Sequence, residues 1–446
     1  MQTYHIVTFG CQMNKHDSEH IAGLLESELG LEPVDDLRRA DVIVFNTCAV
    51  REGAEERLRG QVATLKPLKA ANPDLVIAVG GCVAQHEKER LFALLPHVDV
   101  VFGTHNVAEI ADLVRRAADS RGRVAAVPDS QRRDLEATPS IRETRWHAWL
   151  PIAVGCDNFC SYCIVPHTRG RERSRPFEDV VAEAERLVND GVVEITLLGQ
   201  NVNSYGRDLY GTPRFAEVLR AVARTGVARV RFVTSHPKDL SDETLAAIAE
   251  EPAVCEYLHL PAQSGSTRVL TAMNRRYTKE QYLEAVERAY AAVPGLALSG
   301  DIIVGFPGET DEDFEDTLDL VRRCRYDQLF TFLYSPRPGT RAATMGDEVP
   351  RDVAQERFDR LVKIVQRTAL EKNLALVGST VEVLVEGSSK RDAAMLAGRT
   401  RTNKLVHAPV PDDADPDRLV GTLVPVEVTE AHAWHLVGRV AGYQHR

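Results

Sequence analysis

Three cysteines fall within eight residues, Cys156, Cys160 and Cys163, in the run GCDNFCSYC. The C-x3-C-x2-C spacing puts three thiolates on one short loop, enough to hold three irons of a four-iron cluster. The fourth iron is then left without a protein ligand and can bind a small molecule. Two other readings compete: three loop cysteines without metal, or a zinc site short of one ligand. Single buried cysteines are common. Three this close together point to the cluster.

Three more cysteines, Cys11, Cys48 and Cys82, are far apart in sequence but share a setting. Each follows a strand-like run, at 4–9, 41–46 and 75–79. Each is followed by a helical stretch: 18–29 with Gly30 as its stop, 52–65, and 86–95 ending at Pro96. Alternating strands and helices of this length imply a parallel sheet, whose ligand crevice lies beyond the carboxyl ends of its strands. That topology predicts that Cys11, Cys48 and Cys82 meet at one sheet edge. Taken as residues alone, they could equally be core cysteines. Cys255 and Cys324 lack partners at ligand spacing and read as packing residues.

The elements that must position these groups divide the chain into four parts. Residues 1–118 form the N-terminal parallel α/β domain, and 119–142 read as an irregular linker. Residues 143–377 hold six strand-like runs (150–154, 194–198, 229–234, 256–260, 297–304 and 328–333) with helical runs between them, among them 177–189 and 311–323. Thr310 and Asp313 open the last of these in a capping-box arrangement. Six β/α units predict a partial barrel whose working residues lie at the carboxyl ends of the strands. Cys156, Gly199, Gln200, Ser235, His236, Gln263 and the run from Gly305 to Glu309 fall there, although Glu309 could equally serve as a first-turn helix residue. In residues 378–446, Val381, Val383 and Val385, and again Val424, Val426 and Val428, alternate with other residues. This predicts a small β-barrel of a kind that binds oligonucleotides.

Composition sets outer limits. The 446 residues are 44% hydrophobic and 27% charged, as in soluble globular proteins. No apolar run approaches the ~18–20 residues of a membrane span. Residues 1–10 lack the features of a secretory signal, so a cytoplasmic location is expected. Eight cysteines in such a chain are not a disulfide framework. A net charge of −11 argues against unspecific coating of nucleic acid but leaves room for a local basic surface. Two basic runs could form one: Arg169, Arg171, Arg173 and Arg175, relieved by Glu172, and Lys390, Arg391, Arg399, Arg401 and Lys404, opposed by Asp392. A single run of this kind is usually a solvated face. Two of them, one beside the cysteine loop, are expected to contact phosphates.

The triplet after the first barrel strand resembles the radical S-adenosylmethionine (SAM) superfamily. The contexts FGCQMN, NTCAVRE and GGCVAQ around Cys11, Cys48 and Cys82 are similar to the N-terminal domain of the methylthiotransferases within it. The C-terminal segment resembles a TRAM domain. This resemblance implies two [4Fe-4S] clusters, one on Cys156, Cys160 and Cys163 and an auxiliary one on Cys11, Cys48 and Cys82. It also implies two uses of SAM. One molecule donates a methyl group to sulfur associated with the auxiliary cluster, and a second is split into methionine and a 5′-deoxyadenosyl radical. Gln200 would contact the methionine part of SAM and Gly305 would lie near its adenine. Ser235 and Gln263 join them by strand-end position.

The runs GCDNFCSYCIVPHTRGRERSRP, LLGQNVNSY, TSHP and SPRPGT resemble one branch of the family. That branch adds a methylthio group to carbon 2 of N(6)-dimethylallyladenosine beside the tRNA anticodon. IAVGCDN departs from many relatives, which carry a methionine and an acidic residue before the Gly-Cys. The implied partners are a tRNA anticodon stem-loop, whose unpaired base can be splayed into a pocket, and an electron donor such as a flavodoxin or ferredoxin. Alternatives are the branch acting on threonylcarbamoyl-adenosine, the branch acting on an aspartate of a ribosomal protein, and a noncatalytic iron–sulfur protein that binds RNA. The last would form no 5′-deoxyadenosine.

Overall fold

A computed structural model describes residues 1–49, 53–128, 138–411 and 414–442. The chain divides into two compact units. The first comprises Met1–Thr144, Val154–Asp157 and Cys163–Glu172; the second comprises Arg145–Ala153, Asn158–Tyr162 and Arg173–Arg446.

In the first unit, an all-parallel sheet runs in the order Glu32–Pro33, Thr3–Thr8, Val42–Thr47, Val76–Gly81, Val100–Phe102, Val124–Ala126. Its two central strands are buried along their whole length. Val42, Val44, Val76 and Ala78 pack with Ile21, Leu24 and Ile110. The alternate residues Ile43, Phe45, Ile77 and Val79 pack with Leu58, Val62 and Leu91. A parallel sheet covered by helices on both faces needs this double supply of apolar side chains.

Some local expectations are corrected. The first helix is Gln12–Leu29, longer than the expected 18–29, because Cys11 is its N-cap and Asn14 completes a reciprocal capping box. Gly30 ends it in the left-handed conformation, as expected. The expected start at residue 52 of the next helix lies outside the described residues; the helix seen is Ala54–Thr64. The expected helix 86–95 is replaced by two short ones, Cys82–Glu87 and Leu91–Leu94, broken at Lys88, whose φ is +51°. The stretch 119–142, expected to be irregular, contains the edge strand Val124–Ala126. At three residues that strand is too short to show a period.

In the second unit, six parallel strands follow one another in chain order. His147–Pro151, Glu194–Leu198 and Arg229–Phe232 form one sheet, and Tyr257–His259, Ala297–Val304 and Gln328–Leu333 form another. An isolated bridge pairs Val230 with Val254. Helices Phe177–Asn189 and Asp311–Cys324 lie where expected, and the Thr310–Asp313 capping box is present. Leu150, Ile195, Leu197, Val230, Leu258, Leu298 and Ile302 turn toward these helices and form one large core. Cys255 and Cys324 are buried, and burial raises both thiols, Cys324 to about 12. The strands Thr380–Ser388, Met395–Thr400, Leu405–Pro409, Leu436–Val440 and Leu423–Ala431 close into a barrel around Val383, Val385, Leu396, Val406 and Val426. Closure leaves no free strand edge.

Candidate functional site

The first unit gathers Cys11, Cys48 and Cys82 through two glycines and an amide tie. A Cβ on Gly10 would lie 2.7 Å from the Cβ of Cys48, and one on Gly81 would lie 2.4 Å from the carbonyl oxygen of Thr47. Only glycine lets the chain before Cys11 and before Cys82 come so close to the strand that ends at Cys48. Asn14 donates to the Asn46 side chain (3.1 Å) and to the Thr47 carbonyl (3.2 Å), and Asn46 donates back to the Asn14 carbonyl (2.8 Å). The helix that starts at Cys11 is thereby locked to the strand that leads to Cys48.

Cys82 opens the helix Cys82–Glu87, which packs against the short helix Val165–Thr168. Arg169 closes that second helix and turns inward. Its guanidinium donates to Asp17 at 2.8 Å, and both side chains are almost completely buried, at 3% and 4% exposure. Arg169 also hydrogen-bonds Cys82 and lies close enough to Cys11 to act on its charge. A hydrogen bond with Cys48 holds the Cys11 thiol well below its ordinary value against the effect of burial, and Arg169 adds to this. Burial raises Cys82, with Arg169 opposing. Two thiols beside a buried, permanently charged guanidinium, with a third bonded to one of them, fit a cluster held by thiolates, which needs a counter-charge when taken out of water.

Of the triplet, Cys156 and Cys163 belong to the first unit and Cys160 to the second. In the first unit, the amide of Cys156 donates to the Gly170 carbonyl (3.1 Å), and a Cβ on Gly155 would meet the Arg171 carbonyl at 2.1 Å. In the second, the Ser161 amide donates to Met273 (2.9 Å) and the Asn274 side chain to Phe159 (2.9 Å), which seats residues 158–162 on the end of helix Thr267–Ala272. The buried Arg275 donates to the Cys160 sulfur (3.6 Å), to Pro261 (2.7 Å) and to the Tyr277 hydroxyl (2.9 Å). Arg275 was invisible to spacing arguments, standing more than a hundred residues from the triplet.

The strand-end residues carry the marks of a ligand site. Ser235 is buried and its hydroxyl has no hydrogen-bond partner among the described residues. The same holds for Asn201 Oδ1, Asn203 Nδ2 and His236 Nε2 at the ends of the same two adjacent strands. Buried polar atoms left open in this number call for a partner that is not protein. Burial, with Arg275, Lys238 and Arg276, pushes the His236 pKa down, so its ring is neutral. Strand-end position singles out His236 with Ser235, but sequence reasoning missed Asn201 and Asn203; the only available signal was their place in QNVN. Gln200 is half-buried beside them. Gln263 is buried with φ at +73° and Thr234 has φ at +67°, conformations that non-glycine residues hold only under constraint. Gly305 has φ at +76°, a Cβ there would stand 2.9 Å from Ala354 Cβ, and its amide donates to Glu309 (3.1 Å). Glu309 also takes a hydrogen bond from the buried Arg357 (2.8 Å). It precedes the helix N-cap and braces the Gly305 turn, so its role is not that of a first-turn residue.

The basic runs are corrected. Arg169 is buried against Asp17, and Arg175 pairs with Glu183 at 2.6 Å. Arg401 clasps Glu256 (2.8 Å), and Lys404 reaches Asp327 (2.7 Å) and Asn373 (2.8 Å). From the other side, fully buried Arg229 donates to Glu382 and to the Arg399 carbonyl, while Arg231 donates to the carbonyls of Thr400 and Arg401. These groups fasten the small barrel to the amino ends of the core strands. Arg171, Arg173, Lys390 and Arg391 remain exposed.

Comparison with known proteins agrees with this architecture. The Radical SAM superfamily profile matches residues 150–321, the Uncharacterized protein family UPF0004 profile residues 3–103, and the TRAM domain profile residues 374–441. The chain is 51% identical to the tRNA-2-methylthio-N(6)-dimethylallyladenosine synthase of Carboxydothermus hydrogenoformans, over 98% of this chain and 99% of that one. It is 49% identical to the enzyme of the same name from Thermoanaerobacter pseudethanolicus, over 98% and 92%. Among solved structures it resembles the radical S-adenosylmethionine methyltransferase TsrM of Kitasatospora setae, with a TM-score of 0.56 and 16% identity over 77% of this chain and 75% of that one. That likeness concerns the fold alone.

Proposed function

The chain belongs to the tRNA-2-methylthio-N(6)-dimethylallyladenosine synthase family of radical SAM enzymes, and from that membership we infer which of its residues carry the reaction. The protein transfers a methylthio group to carbon 2 of N(6)-dimethylallyladenosine in tRNA, using SAM and iron–sulfur chemistry. Cys156, Cys160 and Cys163 hold the cluster that meets SAM, and Cys11, Cys48 and Cys82 hold the auxiliary one. When bound, the clusters supply an electron that splits SAM into methionine and a 5′-deoxyadenosyl radical, and a station for the sulfur to be transferred.

The remaining roles fall to the chain's own groups. Arg275 anchors the Cys160 sulfur, and Arg169 supplies the counter-charge at Cys11 and Cys82. Ser235, Asn201, Asn203 and neutral His236 present hydrogen-bonding atoms at the strand ends, where SAM needs polar partners for its amino-acid part. Gln200 and Gln263 flank them, and the bare backbone at Gly305 leaves room for an adenine face. A flavodoxin or ferredoxin is the electron donor. The described residues include no helix long and apolar enough to cross a membrane; a tRNA substrate supports a cytoplasmic site of action.

The observation that carries this reading is the pairing of Cys11 with Cys48 and the approach of Cys11 and Cys82 to the buried Arg169. Mass spectrometry of tRNA nucleosides from cells with and without the protein tests it. Loss of the methylthio group with the prenyl group retained is expected; an unchanged methylthio content would overturn it.

The anticodon stem-loop is the docking target, reached by the exposed cations. Replacing Lys390 and Arg391 together by serine is expected to lower the slope of log affinity against log salt by roughly 1.4 to 1.8, at about 0.7–0.9 per phosphate contact. Arg401→Ser should leave the slope alone and loosen the small barrel instead. Filter binding across a salt series measures both, and a slope unaffected by the double replacement removes these residues from the contact surface.

A further inference from the structure

Strand Gln328–Leu333 has one face that does not fit its place. Strands of parallel sheets are normally covered on both faces. Here Leu329 is buried in the helix-side core, yet Phe330 is 42% and Phe332 46% exposed on the opposite face. Two residues apart, they stand roughly 7 Å from each other along the same face. In the neighbouring strand, Asp301 lies opposite Phe330 and Ile303 opposite Phe332. One strand further, His259 bonds the Ser299 hydroxyl (2.8 Å), sits 3.5 Å from the Asp301 carboxylate, and sets its ring edge-on to Phe330 at 6.1 Å.

This inner floor has a polar row, His259, Ser299 and Asp301, toward the amino ends of the strands. An apolar row, Phe332 and Ile303, lies toward their carboxyl ends, and Phe330 stands beside it at the level of Asp301. Ile303 packs in one cluster with Phe306, Tyr334 and Tyr162, the last of which stands two residues after Cys160. The apolar row is therefore continuous with the loop that holds Cys160 and its Arg275 anchor. A ligand suited to this floor is flat, apolar on one side and hydrogen-bonding at an edge. A purine bearing a five-carbon prenyl arm has that character; an unmodified adenine lacks the arm.

We propose that Phe330 and Phe332 form the seat for the dimethylallyl-bearing adenine, with His259 and Asp301 facing its polar edge, and so select the prenylated base over the unprenylated one. The assignment rests on the substrate reading above. Half-exposed phenylalanines on a finished sheet hold little of the fold together, so their replacement leaves the protein folded.

The test is binding without turnover. Anaerobically reconstituted protein with SAM is titrated with two anticodon stem-loop RNAs that differ only in the prenyl group. Wild type is expected to prefer the prenylated RNA. Phe330→Ala and Phe332→Ala should each reduce that preference by roughly tenfold, within the range of a base stacked on one ring, with little change for the unmodified RNA. Phe332→Leu, which stays apolar, should keep part of it. If both alanine variants keep the preference, or lose affinity for both RNAs equally, the assignment is overturned: the face is then uninvolved or a general base platform. If wild type itself shows no preference, the substrate reading fails and takes the assignment with it.

Discussion

Replacing Cys48 with alanine should remove about four of about eight irons per chain and abolish methylthio transfer, while SAM is still cleaved to 5′-deoxyadenosine. Cys11, Cys48 and Cys82 come from three strand ends of one parallel sheet; Cys11 and Cys82 share the Arg169 counter-charge, and Cys48 hydrogen-bonds Cys11. Loss of one thiol leaves the other two on separate elements with nothing to bridge them. Cys160 stands apart in this respect. It sits in the second unit on its own buried arginine, Arg275. Cys160→Ala should therefore also lower iron to about four, but it should end 5′-deoxyadenosine formation altogether. Iron and sulfide analysis after anaerobic reconstitution, together with chromatography of the nucleoside product, separates the two variants. A Cys48→Ala protein that still binds about eight irons would remove Cys48 from the ligand set. Variants that lose both activities with unchanged iron would sink the division of labour.

Arg169→Met should cost about 3–5 kcal/mol at pH 7, the penalty of leaving a buried charge without its partner. That charge is Asp17, 4% exposed and 2.8 Å from the guanidinium. Burial by itself raises the Asp17 carboxyl, but Arg169 and His16 overcome it and bring the pKa from 3.8 down to about 2. A depressed carboxylate contributes stability that is fully present above its unfolded value and is lost as pH falls through the folded one. In wild type, then, this contribution of about 2 kcal/mol persists down to about pH 4 and disappears toward pH 2. In the variant the pull of Arg169 is gone while burial remains, so Asp17 titrates above its ordinary range. Protonation then relieves the variant as pH is lowered from 7 toward 5, and its deficit against wild type narrows. Urea unfolding of the metal-free proteins at pH 7 and pH 5, followed by circular dichroism, measures this. Asp17→Leu combined with Arg169→Met should recover much of the stability. A deficit below about 1 kcal/mol at both pH values, the size of a surface pair, would mean that the ion pair does not anchor the site.

Several elements were legible in the residues. Strands Glu194–Leu198, Ala297–Val304 and Gln328–Leu333 and helix Phe177–Asn189 fall where hydrophobic period and flanking turns put them. The short ones were not. Val100–Phe102 and Val124–Ala126 exist because a neighbouring strand offers them hydrogen bonds, a condition absent from any local window. The break at Lys88 likewise reflects Cys82 starting its helix early, with Gly81 pressed against Thr47.

The charges show the boundary most plainly. Arg169, Arg401 and Lys404 looked like phosphate contacts because they stand in basic runs, yet each is turned toward a carboxylate of the protein. Composition and spacing count charges along the chain, whereas the direction of a side chain depends on the phase of its element and on which acidic group the fold brings opposite. By itself, the sequence determined the parallel sheet and the six β/α units, and it marked six cysteines at two kinds of spacing. Only the tertiary structure decided which cations balance buried thiols and carboxylates, which fasten the small barrel, and which polar atoms and phenylalanines are left open for ligands. Those outcomes come from contacts between residues tens to hundreds of positions apart, and no local pattern encodes them.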